Sequence, residues 1–179
     1  MKITLIRHAE VEERYKGCYN GHIDISLSPN GHIQAQKLAQ KFQHEKFDAI
    51  FCSDLKRAKQ TLKHFSQHKE DVVYTDKLRE KSWGKHEGMS FDEIISHGEI
   101  EYKNFLQWIK ALDGESYDSF RKKIEKFFLT YLPMQNKNNI LIVTHAGVIK
   151  TLISILENKT LQESFNSKLD YTQCYVYTI

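Results

Sequence analysis

Features that would set this chain apart from ordinary soluble proteins are missing from its sequence. Only 2 prolines and 8 glycines occur among 179 residues, and no Pro- or Gly-rich linker divides the chain, so we expect one domain over residues 1–179. No apolar run approaches the roughly 18 residues that a membrane-spanning helix needs. Arg7 and His8 also interrupt the first apolar run too early for a signal peptide. We therefore expect a cytoplasmic protein with no membrane partner.

Cysteine, charge of one sign and metal-binding motifs are equally scarce. Cys18, Cys52 and Cys174 are odd in number and form no CxxC pair, which favours reduced thiols over a disulfide framework. The net charge is only +3, so the composition gives no case for a nucleic-acid partner. No HExxH motif occurs among the 9 histidines, and we expect no metal site.

Short apolar runs alternate with longer helical patterns along the chain. Runs rich in Ile, Val, Tyr and Phe predict five strands, at Ile3–Ile6, Ala49–Cys52, Val72–Thr75, Ile140–Val143 and Cys174–Thr178. Apolar residues at helical spacing lie between them. Strands that alternate with helices favour an α/β fold, a three-layer sandwich with a mainly parallel central sheet flanked by helices.

Local signals predict where several helices begin or break. Ser28, followed by proline, is the expected N-cap of the first helix. Ser53 and Asp54 both precede the second helix, and either residue type suits its N-cap. The stretch 91–109 is predicted to be helical with a break at Gly98.

Polar side chains stand where three of the predicted strands end. Arg7 and His8 follow the first strand, Ser53 ends the second with Arg57 one helical turn later, and His145 follows the fourth. In parallel α/β sheets, ligands bind outside the carboxyl ends of the strands. If these strands are neighbours, two arginines and two histidines converge on one pocket.

Each of these residues also has an ordinary structural explanation. The Arg7–His8 pair is compatible with an ion pair at the rim of the sheet. Arg57 lies between two lysines of a helix and is compatible with a solvated position, and His145 with a tight turn. Arginines beside the two histidines argue against a cation site, because like charges repel a metal ion.

Four motifs in the same order give the chain a specific resemblance. "LIRHAE", "SDLKRAKQT", "LREKSWGKHEG" and "VTHAG" resemble the RH(G), S-x-x-x-R-A-x-Q-T, acid-before-G-x-x-E-G and T-H-(G/A)-G motifs of the histidine phosphatase superfamily, the phosphoglycerate-mutase-like group. The resemblance extends from Lys2 to about Lys150, and "GESYDSF" adds to it. Ala9 replaces the glycine usual after the first histidine.

The resemblance implies a role for each residue at the strand ends. His8 would be the nucleophile that forms a phosphohistidine, with a backbone carbonyl fixing the tautomer of its ring. Arg7, Arg57 and His145 would hold the phosphoryl oxygens together with His8. Glu80 would protonate the leaving oxygen and then activate water. No metal or other cofactor is implied.

The loop "KGCYNGHIDISLS" resembles that of α-ribazole phosphatases, apart from one extra residue. By this likeness Tyr19, Asn20, Gly21 and His22 are candidate substrate-binding residues, with Tyr19 either stacking on a ring of the substrate or only packing the loop. Arg14 occupies the position of an asparagine in the mutases, so it is either a further substrate contact or a surface residue.

The short chain favours a phosphatase that acts on a small phosphorylated metabolite, such as α-ribazole 5′-phosphate. Only nine residues separate Glu80 from Ser90, which leaves no long insertion to keep water away from a phosphoenzyme, as a mutase requires. A phosphoglycerate mutase, a protein phosphohistidine phosphatase and a non-catalytic phosphate-binding module are the alternatives. Glu80 argues against the binding module, because binding alone does not need a general acid.

Overall fold

A computed structural model describes residues 1–65, 72–98 and 100–179 of the chain. The strands of its sheet are β1 (Lys2–Arg7), β2 (Ala49–Ser53), β3 (Val72–Thr75), β4 (Asn139–Thr144) and β5 (Cys174–Thr178). The α-helices are α1 (Pro29–Lys41), α2 (Lys56–Leu62), α3 (Phe91–Ser96), α4 (Phe105–Ala111), α5 (Tyr117–Glu125), α6 (Ala146–Leu156) and α7 (Leu161–Asn166). Within the described ranges, no helix combines the length and apolarity needed to cross a bilayer.

The five strands form one sheet in the order β3-β2-β4-β1-β5. The first four run parallel, and β5 lies antiparallel to β1 at one edge. The registers Ile3 to Ile140 and Ile50 to Leu141 align the central strands. The carboxyl ends of β1, β2 and β4 therefore lie at the same edge of the sheet, as predicted.

Alternating side chains of the strands bury the sheet on both faces. Ile3 and Leu5 belong to one apolar cluster with residues of α5 and α6. Ile6 and Leu141 belong to a second cluster with residues of α1 and α2. This arrangement confirms the predicted α/β sandwich. The three cysteines are free thiols.

The helix boundaries agree with the sequence signals in two places and differ in one. Ser28 caps α1 by accepting a hydrogen bond from the N–H of Gly31, as predicted. Gly98, with a φ of +76°, lies in the predicted break between α3 and α4. Neither Ser53 nor Asp54 caps α2, whose N-cap is Leu55. The Asp54 carboxylate instead binds the guanidinium of Arg79 at 2.6–2.7 Å.

Candidate active site

The ends of β1, β2 and β4 bring the predicted polar residues together. The rings of His8 and His145 lie 5.2 Å apart between centroids. The hydroxyl of Ser53 lies 2.7 Å from Nε2 of His145. Parallel strands of similar length thus place residues that are far apart in the sequence in one cluster.

His8 is held as a neutral imidazole with one free nitrogen. Its Nδ1 lies 2.8 Å from the carbonyl oxygen of Ala9, so we assign the proton to Nδ1, which donates to that oxygen. Burial of the ring, followed by the charges of Arg57 and Arg7, lowers the pKa of His8 well below its usual value. The predicted backbone acceptor is confirmed, and Nε2 retains its lone pair.

His145 and Arg57 are fully buried, and the ring of His145 lies next to that of His8. Nε of Arg57 donates to Nδ1 of His145 at 3.2 Å, so Nε2 of His145 carries the proton that is donated to Ser53 Oγ. Burial and the charge of Arg57 lower the pKa of His145 well below its usual value. This histidine is therefore neutral, and the protein supplies a partner for both of its ring nitrogens.

Arg57 also ties the loop after β1 to the site. Its two terminal nitrogens donate to the carbonyl oxygens of Asn20, Gly21 and Ile23 at 2.7–2.9 Å. Burial lowers the pKa of Arg57 to about 10. With the bond to His145, these contacts use four of the five N–H donors of the guanidinium, which leaves one for a further acceptor.

The carboxylate of Glu80 is fixed at the start of α6. It accepts a hydrogen bond from the N–H of Gly147 at 2.7 Å and one from the N–H of Lys81 at 2.9 Å. The N-terminus of a helix favours a negative charge at this position. A Cβ atom on Gly147 would stand only 2.0 Å from Oε1 of Glu80, so a glycine is required for this close approach.

We expect Gly147→Ala to lower kcat by roughly 10-fold or more while the protein stays folded, because a 1 Å misplacement of a catalytic group can cost 10² in rate. The added methyl group would push aside the end of the flexible Glu80 side chain rather than backbone atoms. Activity assays and thermal unfolding of the variant measure the two effects. Gln36→Ala, a change on the exposed face of α1 away from the cavity, is the control. Full activity in Gly147→Ala would contradict the requirement for a glycine at the contact with Glu80.

Arg7 is oriented by residues 169–171, a segment whose sequence carries no recognised motif. One terminal nitrogen of its guanidinium donates to the carbonyl oxygen of Leu169. The ring of Tyr171 covers the guanidinium, with 4.1 Å from Cζ to the ring centroid. Nε of Arg7 is buried and has no hydrogen-bond partner among the described residues. A phosphate oxygen is the kind of acceptor that would satisfy it.

Two of the five predicted substrate-binding residues line the cavity, namely Tyr19 and Asn20. Arg14 is exposed, near the ring of Tyr15. Gly21 and His22 do not line the cavity, and Nε2 of His22 lies 3.1 Å from the backbone oxygen of Glu80. These three residues shape the loop or its surface.

The side chain of Tyr19 both packs the loop and faces the cavity. Its hydroxyl accepts a hydrogen bond from Nε1 of Trp108 at 2.6 Å, and its ring meets that of Trp83 edge to face, 5.1 Å between centroids. Tyr19 also lines the cavity. The structure thus shows the packing contacts, and stacking on a ring of the substrate stays a prediction.

Glu87 supports the same loop and was not singled out in the sequence. Its carboxylate accepts hydrogen bonds from the N–H groups of Gly21, His22, Ile23 and Trp83 at 2.8–3.1 Å. In the sequence, only its position as the glutamate of "GKHEG", which matches the G-x-x-E-G motif, indicates a role for it. Four backbone donors on one carboxylate fix the loop against the site.

A cavity of about 260 Å³ opens over His8. Its polar end is formed by Arg7, His8 and Glu80, whereas Arg57 and His145, which were also predicted to hold the phosphoryl group, are fully buried and do not line it. Its opposite wall is apolar and comes from α4 and α7, through Phe105, Ile109, Leu161 and Phe165. Across the three described ranges, no three His, Cys, Asp or Glu side chains are arranged to hold a metal ion. The cavity therefore joins a cationic, hydrogen-bonding end to an apolar one.

Comparison with known proteins agrees with this geometry. Residues 3–179 match the model of the histidine phosphatase superfamily (branch 1). The chain belongs to this superfamily. It is a phosphatase of the histidine phosphatase type, and its curated relatives include named phosphatases.

Known phosphatases are similar to this chain over most of its length. The adenosylcobalamin/α-ribazole phosphatase of Escherichia coli is 29% identical over 174 residues, 95% of this chain and 86% of the relative. The crystal structure of α-ribazole phosphatase from Shigella flexneri is similar with a TM-score of 0.87 at 28% identity, covering 100% of this chain and 91% of that one. Phosphoserine phosphatase from Entamoeba histolytica, in complex with 3-phosphoglyceric acid, has a TM-score of 0.82 at 31% identity, covering 99% and 90%.

Proposed function

We propose that this phosphatase hydrolyses small phosphate monoesters through a phosphohistidine on Nε2 of His8. The observation that carries the proposal is the neutral, buried imidazole of His8, whose proton is held on Nδ1 by Ala9. A nitrogen nucleophile must present a lone pair. Arg7, with its buried and unpartnered Nε, supports a phosphate position beside that lone pair.

In the first step the lone pair of Nε2 attacks phosphorus, and the bond from phosphorus to the ester oxygen breaks. The departing oxygen takes a proton from the carboxyl group of Glu80, which thereby becomes the carboxylate that the N–H groups of Gly147 and Lys81 bind. Arg7 and the remaining donor of Arg57 stabilise the charge on the phosphoryl oxygens, the largest contribution expected in phosphoryl transfer. His145 joins them when a phosphoryl oxygen replaces Ser53 Oγ as the acceptor of its Nε2–H, while Arg57 keeps its bond to Nδ1.

In the second step the carboxylate of Glu80 takes a proton from water, the resulting hydroxide attacks phosphorus, and the bond from phosphorus to Nε2 breaks. Inorganic phosphate leaves, and the carboxyl group is again protonated. All charge compensation in this scheme comes from protein side chains. We therefore propose a metal-independent reaction.

The apolar wall of the cavity favours a leaving group that carries a ring, with α-ribazole 5′-phosphate as the first candidate substrate. Phe105 and Phe165, which lie 5.5 Å apart between ring centroids, offer a surface on which a flat ring gains contact area. The names of the E. coli and S. flexneri relatives point to the same ester.

A small ester with an acidic group, such as phosphoserine, is the second candidate. The ammonium group of Lys150 favours it, because this side chain lines the cavity and its Nζ donates to the carbonyl oxygen of Phe165 at 3.0 Å. One carbonyl leaves two N–H donors of an ammonium for a carboxylate. The E. histolytica relative is named a phosphoserine phosphatase.

Turnover of a panel of esters tests the proposal. We expect hydrolysis of p-nitrophenyl phosphate to be unchanged by EDTA, and kcat/KM to be higher for α-ribazole 5′-phosphate than for phosphoserine or 3-phosphoglycerate. Activity that EDTA abolishes and Mg²⁺ or Zn²⁺ restores would contradict the metal-independent reaction. Interconversion of 2- and 3-phosphoglycerate would favour the mutase. A preference for phosphohistidine in a protein would favour the protein phosphohistidine phosphatase, and phosphate binding without turnover would favour the binding module.

A further inference from the structure

The backbone just before the start of β5 makes an unusual turn beside the active site. Thr172 has a φ of +59°, a left-handed conformation that is costly for a β-branched residue and that concentrates at functional sites. The turn is closed by the N–H of Gln173, which donates to the oxygen of Asp170 at 3.3 Å. The side chain of Gln173 in turn accepts from the N–H of Asp170 at 2.8 Å.

This turn is attached to the end of β1 by its backbone. The N–H of Arg7 donates to the oxygen of Gln173 at 3.2 Å, and the N–H of Thr172 to the oxygen of His8 at 3.5 Å. These two hydrogen bonds therefore fix the turn relative to Arg7 and His8, the residues to which the phosphohistidine chemistry is assigned. Tyr171 directly precedes these two attachments.

Tyr171 contacts both of those residues with its ring. The ring centroid lies 4.1 Å from Cζ of Arg7 and 5.8 Å from the ring centroid of His8. The turn also supplies the oxygen of Leu169 to one terminal nitrogen of Arg7. The guanidinium is thus restrained on its face by a ring and on its edge by a carbonyl, while its Nε stays buried without a partner among the described residues.

We propose that Tyr171 is a positioning residue for Arg7, held in place by the strained turn 169–173. The inference rests on the proposed function, since it assumes that Arg7 binds the phosphoryl oxygens. A free arginine side chain samples many rotamers, and fixing it before substrate arrives removes that entropic cost from the transition state. The aromatic face keeps the guanidinium out of water, and cation–π attraction opposes its rotation away from the site.

A double-mutant cycle between Tyr171 and Arg7 tests this coupling. The variants are Tyr171→Leu, Arg7→Ala and their combination, with Tyr171→Phe as the conservative variant. Tyr74→Leu, which removes an exposed ring from the edge strand β3, is the matched control. The readouts are equilibrium binding of orthovanadate and of inorganic phosphate by calorimetry, kcat and KM with p-nitrophenyl phosphate, and thermal unfolding.

We expect Tyr171→Leu to weaken vanadate binding and to lower kcat by about 10-fold, in line with loss of a desolvated cation–π contact. In the Arg7→Ala background the same substitution should change vanadate binding by less than about 2-fold, because coupled residues are not additive. Tyr171→Phe retains the ring and should stay within about 3-fold of the unmodified protein. Tyr74→Leu should change neither the affinity for vanadate nor kcat.

The outcomes separate this inference from the proposed function. Unchanged vanadate binding in Arg7→Ala would overturn the phosphate role of Arg7. A second outcome would overturn the positioning role alone. In it, Arg7→Ala weakens vanadate binding, but Tyr171→Leu has no effect, or has the same effect whether residue 7 is arginine or alanine. If Tyr171→Leu does not fold, Tyr171→Met, with an unbranched side chain of comparable length, takes its place in the same cycle.

Discussion

Replacing His8 by alanine is expected to abolish turnover and the covalent intermediate together. In the proposed mechanism the free Nε2 of His8 is the atom that attacks phosphorus, and no second step can begin without the phosphoenzyme. Rapid mixing with ³²P-labelled substrate, followed by alkaline denaturation, measures the intermediate, because phosphohistidine survives base and is lost in acid. We expect label on the unmodified protein and none on His8→Ala.

His32→Ala is a suitable control for this experiment. His32 pairs with His64 through ring nitrogens 3.2 Å apart, and neither residue lines the cavity over His8. This variant should accumulate label and turn over substrate as the unmodified protein does. Label trapped on His8→Ala would show that another residue is the nucleophile.

The Glu80→Gln substitution is expected to slow hydrolysis of an alkyl phosphate by roughly 10²–10⁴-fold, the range for loss of a general acid. The amide oxygen can still accept one of the two hydrogen bonds from Gly147 and Lys81, but the side chain can no longer deliver a proton. Steady-state kinetics with an alkyl phosphate and with p-nitrophenyl phosphate measure the effect. The loss should be smaller for p-nitrophenyl phosphate, whose leaving group needs little protonation.

Glu45→Gln makes the same chemical change at an exposed position and should leave both rates unaltered. Equal losses on both esters in Glu80→Gln would contradict the acid role. Such a result would instead favour a carboxylate that only orients water in the second step.

The sequence was sufficient to predict the sheet and the residues at its edge. Apolar runs located all five strands within one residue at either end, because strand periodicity is a local property. The rule that parallel strands present ligands at their carboxyl ends then predicted the meeting of His8 and His145. The resemblance added Glu80, which the structure brings to the start of α6 by a contact over 67 positions of the chain.

What the sequence did not predict depends on contacts between distant segments. The bond from Arg7 to Leu169 joins residues 162 positions apart, and it exists because β5 returns antiparallel beside β1. No spacing near Tyr171 signals that return. Ser53 and Asp54 have the chemistry of N-caps, yet tertiary partners, His145 and Arg79, engage their side chains instead.

The apolar wall has an evolutionary consequence. The proposed nucleophile His8 follows the end of β1 at the centre of the sheet. The surface proposed to face the leaving group comes from two short helices, α4 and α7, that contact each other. Substitutions such as Phe105→Tyr or Leu161→Gln could therefore redirect selectivity without disturbing the phosphoryl pocket. A library of variants restricted to these helices would be a small starting point for selecting activity on new esters, because every variant would keep the residues around His8 unchanged.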